Sequence, residues 1–239
     1  METKTLLKYL VEAGLGARRQ VVIAIKQGRV SVNGKIAEGY TMPVYPKLDV
    51  ITCDGRVVKF KPSETLVFMV NKPAGVLSTT RDDRGRKTVV DMLPDHYRSL
   101  GLYPAGRLDY DSTGLLILTN DGNLTYRLTH PRFEHEKEYL VSIANKLTEE
   151  DKDKLEKGIM LEDGMTYPAK VKYVPNVAYT YSITIHEGRH RQVKRMFISL
   201  GHEVKALKRI RIGKLELGML EEGELKKLSQ AEIGKLLRR

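Results

Sequence analysis

The sequence predicts an α+β protein in two parts: a small N-terminal unit of two helices and a short β ribbon, and a larger domain built on a mixed sheet. Three observations point there. Apolar residues recur at helical spacing in the first thirty positions; an Asn33-Gly34 pair then separates two short alternating runs; and beyond residue 64 strand-like and helix-like stretches alternate without a fixed repeat. At 239 residues the chain is long enough to bury a substantial core.

The elements follow in order. TLLKYLVE (5–12) sets Leu6, Leu7, Leu10 and Val11 on one helical face, and Gly14 and Gly16 interrupt the pattern. A second helix is expected from about Arg18 to Gln27, with Val21, Val22 and Ile25 facing inward. GRVSVNGKI then reads as a hairpin, because Asn and Gly both tolerate the positive φ that a tight two-residue turn demands. This unit is expected to end near Lys61, with Pro62 and Ser63 as the joint, giving domains of 1–62 and 63–239. Leu66 to Val70 opens the second domain as an apolar strand. LLILT (115–119), KEYLVSI (137–143), AKVKYV (169–174) and TYSITI (180–185) are further strands. Ser229 and Glu232 form an expected capping box for a terminal helix.

Charge narrows the partners. There are 41 Lys and Arg against 30 Asp and Glu, a net of +11, so a polyanion is the natural ligand. The excess is densest at the start: residues 1–63 hold 11 basic and 5 acidic residues, and the remaining 176 hold 30 and 25. Lys4, Lys8, Arg18, Arg19, Lys26, Arg29 and Lys35 are candidates for one phosphate-binding face, although a basic helix surface is more often merely solvated. The longest apolar runs are five residues, too short to span a membrane. The first residues have no apolar leader, and a single cysteine, Cys53, permits no internal disulfide, so a cytoplasmic protein is expected.

Three chemical patterns compete. HEGRH (186–190) fits the two-histidine zinc pattern, but it follows an alternating strand, contains Gly188 and has no evident third ligand, so no metal is expected. Asp109 and Asp111, two apart on an extended chain and so about 6.6 Å apart, fit the separation of a glycosidase carboxylate pair. The absence of tryptophan and the positive charge argue against a polysaccharide substrate. The third pattern uses one aspartate, in GRLDYDSTGLLILTND.

That last run resembles the central motif of the RsuA/RluB-type rRNA pseudouridine synthases. NKPAGVLSTTRDDRGRKTVVDMLP (71–94), YPAGRLD (103–109), LTHPRFEHEKEYLV (128–141) and EGRHRQVKRMFISLGHEV (187–204) follow in that family's order. LLKYLVEAGLGARRQVVIAIKQGRVSVNGKIA resembles the S4 RNA-binding module. Ser112 stands where the family usually has threonine, a change that keeps the hydroxyl.

The resemblance implies a small S4 module and a pseudouridine synthase domain with a central cleft. It makes Asp109 the catalytic carboxylate, acting at ribose C1′ while the uracil glycosidic bond breaks and the base rejoins through C5. Lys194 is implied as the cation that keeps Asp109 charged, since a buried anion is costly without a partner. Tyr139 is implied as the ring against the target base, where stacking returns about 1–3 kcal/mol of the cost of extruding a uridine. Arg107, the loop arginines Arg81, Arg84 and Arg86, and Arg189 and Arg191 of the third motif are candidate RNA contacts, whereas Asp111 and Asp121 are expected to serve turns. No cofactor is implied. The expected substrate is ribosomal RNA or a pre-ribosomal particle, with the large subunit favoured because EGRHRQVKRMF looks closer to RluB-like members, and the expected state is a monomer. A small-subunit enzyme and a noncatalytic S4-containing assembly protein are the alternatives.

Overall fold

The computed structural model describes residues 3–16, 18–59, 64–174 and 178–238. It divides into two compact units between residues 64 and 65. The joint expected at Pro62 and Ser63 lies outside the described residues.

In the first unit β1 (Lys4–Thr5) leads into α1 (Leu6–Glu12), followed by α2 (Arg18–Lys26), β2 (Val30–Val32), β3 (Lys35–Ile36), β4 (Pro43–Val44), β5 (Ile51–Cys53) and β6 (Arg56–Val57). Thr5 caps α1 by accepting from the Lys8 amide. Asn33 and Gly34 have φ of 51° and 80°, the left-handed pair of a tight hairpin between β2 and β3. The strands form a sheet in the order β3-β2-β5-β6, while β1 pairs with β4. Leu6, Leu10, Val21, Ile25, Val30 and Ile51 fill the core beneath the helices; Val22, expected inside, is only partly buried.

The second unit begins with β7 (Val67–Lys72), then a 3₁₀ turn at Val89–Met92, α3 (Asp95–Arg98), β8 (Tyr103–Pro104), β9 (Thr113–Thr119) and α4 (Gly122–Thr129). A 3₁₀ turn at Pro131–Phe133 leads to β10 (Lys137–Ile143), α5 (Glu149–Lys157), β11 (Met160–Leu161), β12 (Gly164–Met165) and β13 (Lys170–Tyr173). The chain ends with β14 (Tyr181–Ile185), α6 (Gln192–Ile198), β15 (Val204–Ile212), β16 (Leu215–Glu216), β17 (Leu225–Lys227) and α7 (Gln230–Leu236). The main sheet runs β13-β14-β10-β15-β9-β7-β17, with β16 on β15 and β8 on β9. Pairing of β9 with β15 is parallel and the other pairings are antiparallel, which makes the sheet mixed.

Both faces of the central strands are covered. Val67, Met69, Leu115 and Ile117 enter one apolar cluster, and Phe68, Val70, Leu116 and Leu118 enter the other. This is the two-residue period of a strand with both sides buried, and it explains the unbroken apolar runs in the sequence. Ser229 and Glu232 form the expected capping box at α7.

Leu116 is fully buried between β7 and its neighbours. Leu116→Ala is expected to lower unfolding free energy by about 2–5 kcal/mol in chemical denaturation. A loss under about 1 kcal/mol would show that the second cluster repacks around the gap.

Candidate active site

The loop that holds Asp109 is fastened along its whole length. Leu108 exchanges two hydrogen bonds with Ser78: its amide donates to Oγ at 3.1 Å, and Oγ donates to its carbonyl at 2.8 Å. The Gly75 amide donates to the Tyr110 carbonyl, and Ser112 closes a turn onto the Asp109 carbonyl. The NKPAG segment at the end of β7 therefore lies against the aspartate loop.

Lys72, the last residue of β7, organises that segment. It is completely buried, and its ammonium donates to the carbonyls of Pro73 at 2.7 Å and Val76 at 2.9 Å. Burial pushes it down to about 8, against the opposing pull of Asp111, Glu222 and Asp109. A lysine closing a fully buried strand whose first four residues are apolar, just before a proline, is the signal that marks this residue in the sequence.

Arg209 fastens the loop from the other side. β9 and β15 approach so closely that a Cβ on Gly114 would lie 2.2 Å from the Arg209 carbonyl oxygen, and Gly114 has φ of 103°. Only glycine fits on both counts. The Arg209 guanidinium is buried. Its Nε donates to the Leu115 carbonyl at 2.7 Å, and one terminal nitrogen lies 3.4 Å from the Tyr139 hydroxyl and 3.5 Å from the Arg107 carbonyl. Tyr139 sits opposite Arg209 across β10 and β15, largely buried, with the guanidinium carbon 5.9 Å from its ring centroid. Sequence reading missed Arg209, although VKALKRIRI places it on the inward phase of an alternating strand, two residues after Leu207.

The expected ion pair is formed by a different aspartate. Lys194 is buried on α6, and its ammonium is 2.6 Å from Asp111 Oδ1, while Arg191 Nη2 is 3.9 Å from Oδ2 of the same carboxylate. The two cations, three residues apart where α6 begins, converge on Asp111. Burial opposes charge on Asp111, but the hydrogen bond and charge of Lys194, helped by Arg191, outweigh it and hold the carboxyl below the usual range. Asp111 lies in the turn closed by Ser112 and Asp109, as the sequence suggested, and is in addition an ion-pair partner, which the sequence did not suggest. Asp121 does serve a turn, capping α4 through the Asn123 and Leu124 amides. Asp109, half-buried, has no ion-pair partner within 4 Å among the described residues.

The candidate RNA contacts separate into two groups. Several are occupied within the protein. Lys4 and Lys8 approach Glu12, Arg29 holds Asp54 through two nitrogens, Arg86 holds Asp82, and Arg81 is 3.3 Å from Asp83. Arg189 is a clamp, binding Glu187, Asp163 and the carbonyls of Gly164 and Met165, so its guanidinium serves the fold. Arg18, Arg19, Lys26, Lys35, Arg84 and Arg107 are exposed and, among the described residues, have no carboxylate partner. The HEGRH run lies between β14 and α6, off any helix, where Glu187 accepts from Gln192, Arg189 and the Tyr167 amide. Among the described residues no group of three His, Cys, Asp or Glu is placed to hold a metal.

A basic helical unit followed by a mixed sheet bearing a braced carboxylate loop is consistent in charge and layout with a protein that acts on a polyanion. Comparison with known proteins defines it further. The model of the RNA pseudouridylate synthase family matches residues 66–199 and that of the S4 domain matches residues 4–44, so the chain belongs to the RNA pseudouridylate synthase family and carries an S4 domain. It is 40% identical to ribosomal large subunit pseudouridine synthase B of Bacillus subtilis, over 97% of this chain and 94% of that protein. It is 39% identical to an uncharacterized RNA pseudouridine synthase of Aquifex aeolicus, over 97% of this chain and 92% of that one. A crystal structure of a pseudouridylate synthase, 36% identical, superposes with a TM-score of 0.70 over 97% of this chain and 99% of its own. The chain is an RNA pseudouridine synthase. Among the described residues no helix is long and apolar enough to cross a membrane.

The depressed Lys72 sets a direction for alkaline titration. Between about pH 8 and 10.5 the unfolded chain keeps a proton that the folded chain has released, so stability rises with pH through that window. Lys72→Met is expected to flatten part of the rise in denaturation curves taken at several pH values. Parallel wild-type and variant curves would contradict the burial of this ammonium.

Proposed function

We propose that the protein converts a uridine of large-subunit ribosomal RNA to pseudouridine, with Asp109 as the reacting carboxylate. One observation carries the assignment of the site: Asp109 lies between Arg107, whose carbonyl is tied to the Arg209–Tyr139 pair, and Asp111, whose carboxylate holds Lys194. A carboxylate on a loop tied on one side to the Arg209–Tyr139 pair and on the other to a buried cation suits the bond exchange. The C1′–N1 bond breaks, C1′ gains positive character that Asp109 stabilises, and uracil turns and bonds C1′ through C5. The C5 proton leaves to solvent and N1 takes one up, so product and substrate are isomers. Tyr139 supports the extruded base.

In this reading Asp111 and Asp109 divide the work. Asp111 is the standing partner of Lys194, which leaves the Asp109 oxygens uncommitted to the cation and open to the ribose. Lys194 then orders the loop through Asp111 and sets the field around Asp109 from two residues away. The choice of large-subunit RNA rests on the 40% identity to the Bacillus subtilis synthase B, whose name gives that substrate. The S4 unit supplies affinity through exposed Arg18, Arg19, Lys26 and Lys35, and Arg84 and Arg107 add backbone contacts beside the reacting loop. A cytoplasmic monomer acting on rRNA or a pre-ribosomal particle is the setting this reading implies.

Asp109→Asn is expected to bind rRNA within about twofold of wild type and to lower tritium release from 5-tritiated uridine in rRNA by about 10⁴-fold. Wild-type turnover in that variant would remove Asp109 from the reaction. Asp111→Asn strands a buried ammonium; because Asp111 is half-exposed, the expected stability loss is about 1–3 kcal/mol rather than that of a fully buried pair. Turnover should fall about tenfold with affinity preserved, and Asp111→Glu should recover it. Unchanged turnover would assign the pair to the fold alone.

A further inference from the structure

The end of the sheet that carries Asp109 also carries a ring cluster with no part in the bond exchange. β9 leads away from the aspartate loop and α4 brings the chain back, so that a Cβ on Gly106 would lie 3.5 Å from the Thr129 methyl group. The turn at Pro131–Phe133 follows, and the chain then enters β10, which bears Tyr139. The corner therefore lies between the loop of Asp109 and the strand of Tyr139.

On that corner Tyr126 packs against His130 with centroids 4.8 Å apart and edge-on against Phe133 at 5.8 Å. The Arg132 guanidinium carbon lies 4.9 Å from the Tyr126 centroid and 4.5 Å from that of Phe133. These rings are not the buried face of α4, since Leu124 and Leu128 enter the core while Tyr126 is 44% exposed. Among the described residues Arg132 has no carboxylate partner, and neither has its exposed neighbour Arg127. Two rings thus hold an exposed guanidinium in place without a carboxylate, and less side-chain freedom is lost when a ligand arrives.

We propose that Arg132, backed by Tyr126 and Phe133, is a stacking site for an unpaired nucleobase next to the target uridine. The proposal rests on the RNA-modifying reading above and extends it to a second nucleotide. Guanidinium planes are stacking partners for bases in single-stranded RNA. Extruding a uridine also deprives its neighbours of their own stacking, so a flat cation beside the site finds an exposed base to cover. Arg127 adds positive charge for the intervening phosphate.

The test is equilibrium binding of the full-length protein to a short oligouridylate and to the same ribose-phosphate oligomer lacking bases. Arg132→Ala should weaken oligouridylate binding about five- to tenfold and leave the abasic oligomer unaffected. Arg132→Lys, which keeps the charge and loses the plane, should bind oligouridylate nearly as poorly as the alanine variant. An equal loss on the abasic oligomer, recovery by lysine, or no loss at all would overturn the proposal. Tritium release from rRNA, measured in parallel, separates the two readings. Base-dependent binding through Arg132 without release by the wild type would sink the ribosomal substrate and leave the stacking site standing.

Discussion

The catalytic unit depends on one close approach, that of β9 to β15 at Gly114 and Arg209. Without a side chain at 114 the strands meet, and the Arg209 guanidinium can reach the Leu115 carbonyl, the Arg107 carbonyl and the Tyr139 hydroxyl from one buried position. A buried arginine is expensive unless its donors are used. Here Nε and one terminal nitrogen serve three separate segments, the core strand, the loop before Asp109 and the strand that bears Tyr139, while Nη2 is buried without a hydrogen-bond partner among the described residues. The segments so joined come from distant points in the chain.

The charges at the site are arranged in layers. Lys72 faces the backbone carbonyls of Pro73 and Val76, Lys194 faces Asp111, and the Asp109 carboxylate has no ion-pair partner within 4 Å among the described residues. Lys137 adds to the pattern: burial, and then the nearby Arg209 charge, push it down to about 8. Lys72, Lys137 and Lys194 are thus buried or largely so, each next to a group that accepts from it or attracts it.

Much of this was legible from residues. The Asn33-Gly34 turn, the Ser229–Glu232 cap and the strands at 115–119 and 137–143 rest on local chemistry, and local chemistry decided them. The run Val204–Ile212 was not singled out as a strand, because its lysines and arginines mask an inward phase that includes a buried arginine. The partner of Lys194 was assigned to Asp109 when the structure gives Asp111. Two aspartates two residues apart look alike in sequence, and only the direction from which α6 delivers Arg191 and Lys194 tells them apart. Likewise, Arg189 and Arg29 looked like phosphate ligands because sequence counts charges and cannot see which are already matched.

That matching alters how far the molecule's charge is felt. A guanidinium gripped by an aspartate behaves at a distance as a dipole, whose field dies away faster than that of a lone cation and within a Debye length of about 8 Å at physiological salt. The net of +11 is therefore unevenly audible to an approaching polyanion. In the S4 unit the exposed cations without a carboxylate partner among the described residues are Arg18, Arg19, Lys26, Lys35, Lys47, Arg56 and Lys59, and these carry the field farthest into solvent.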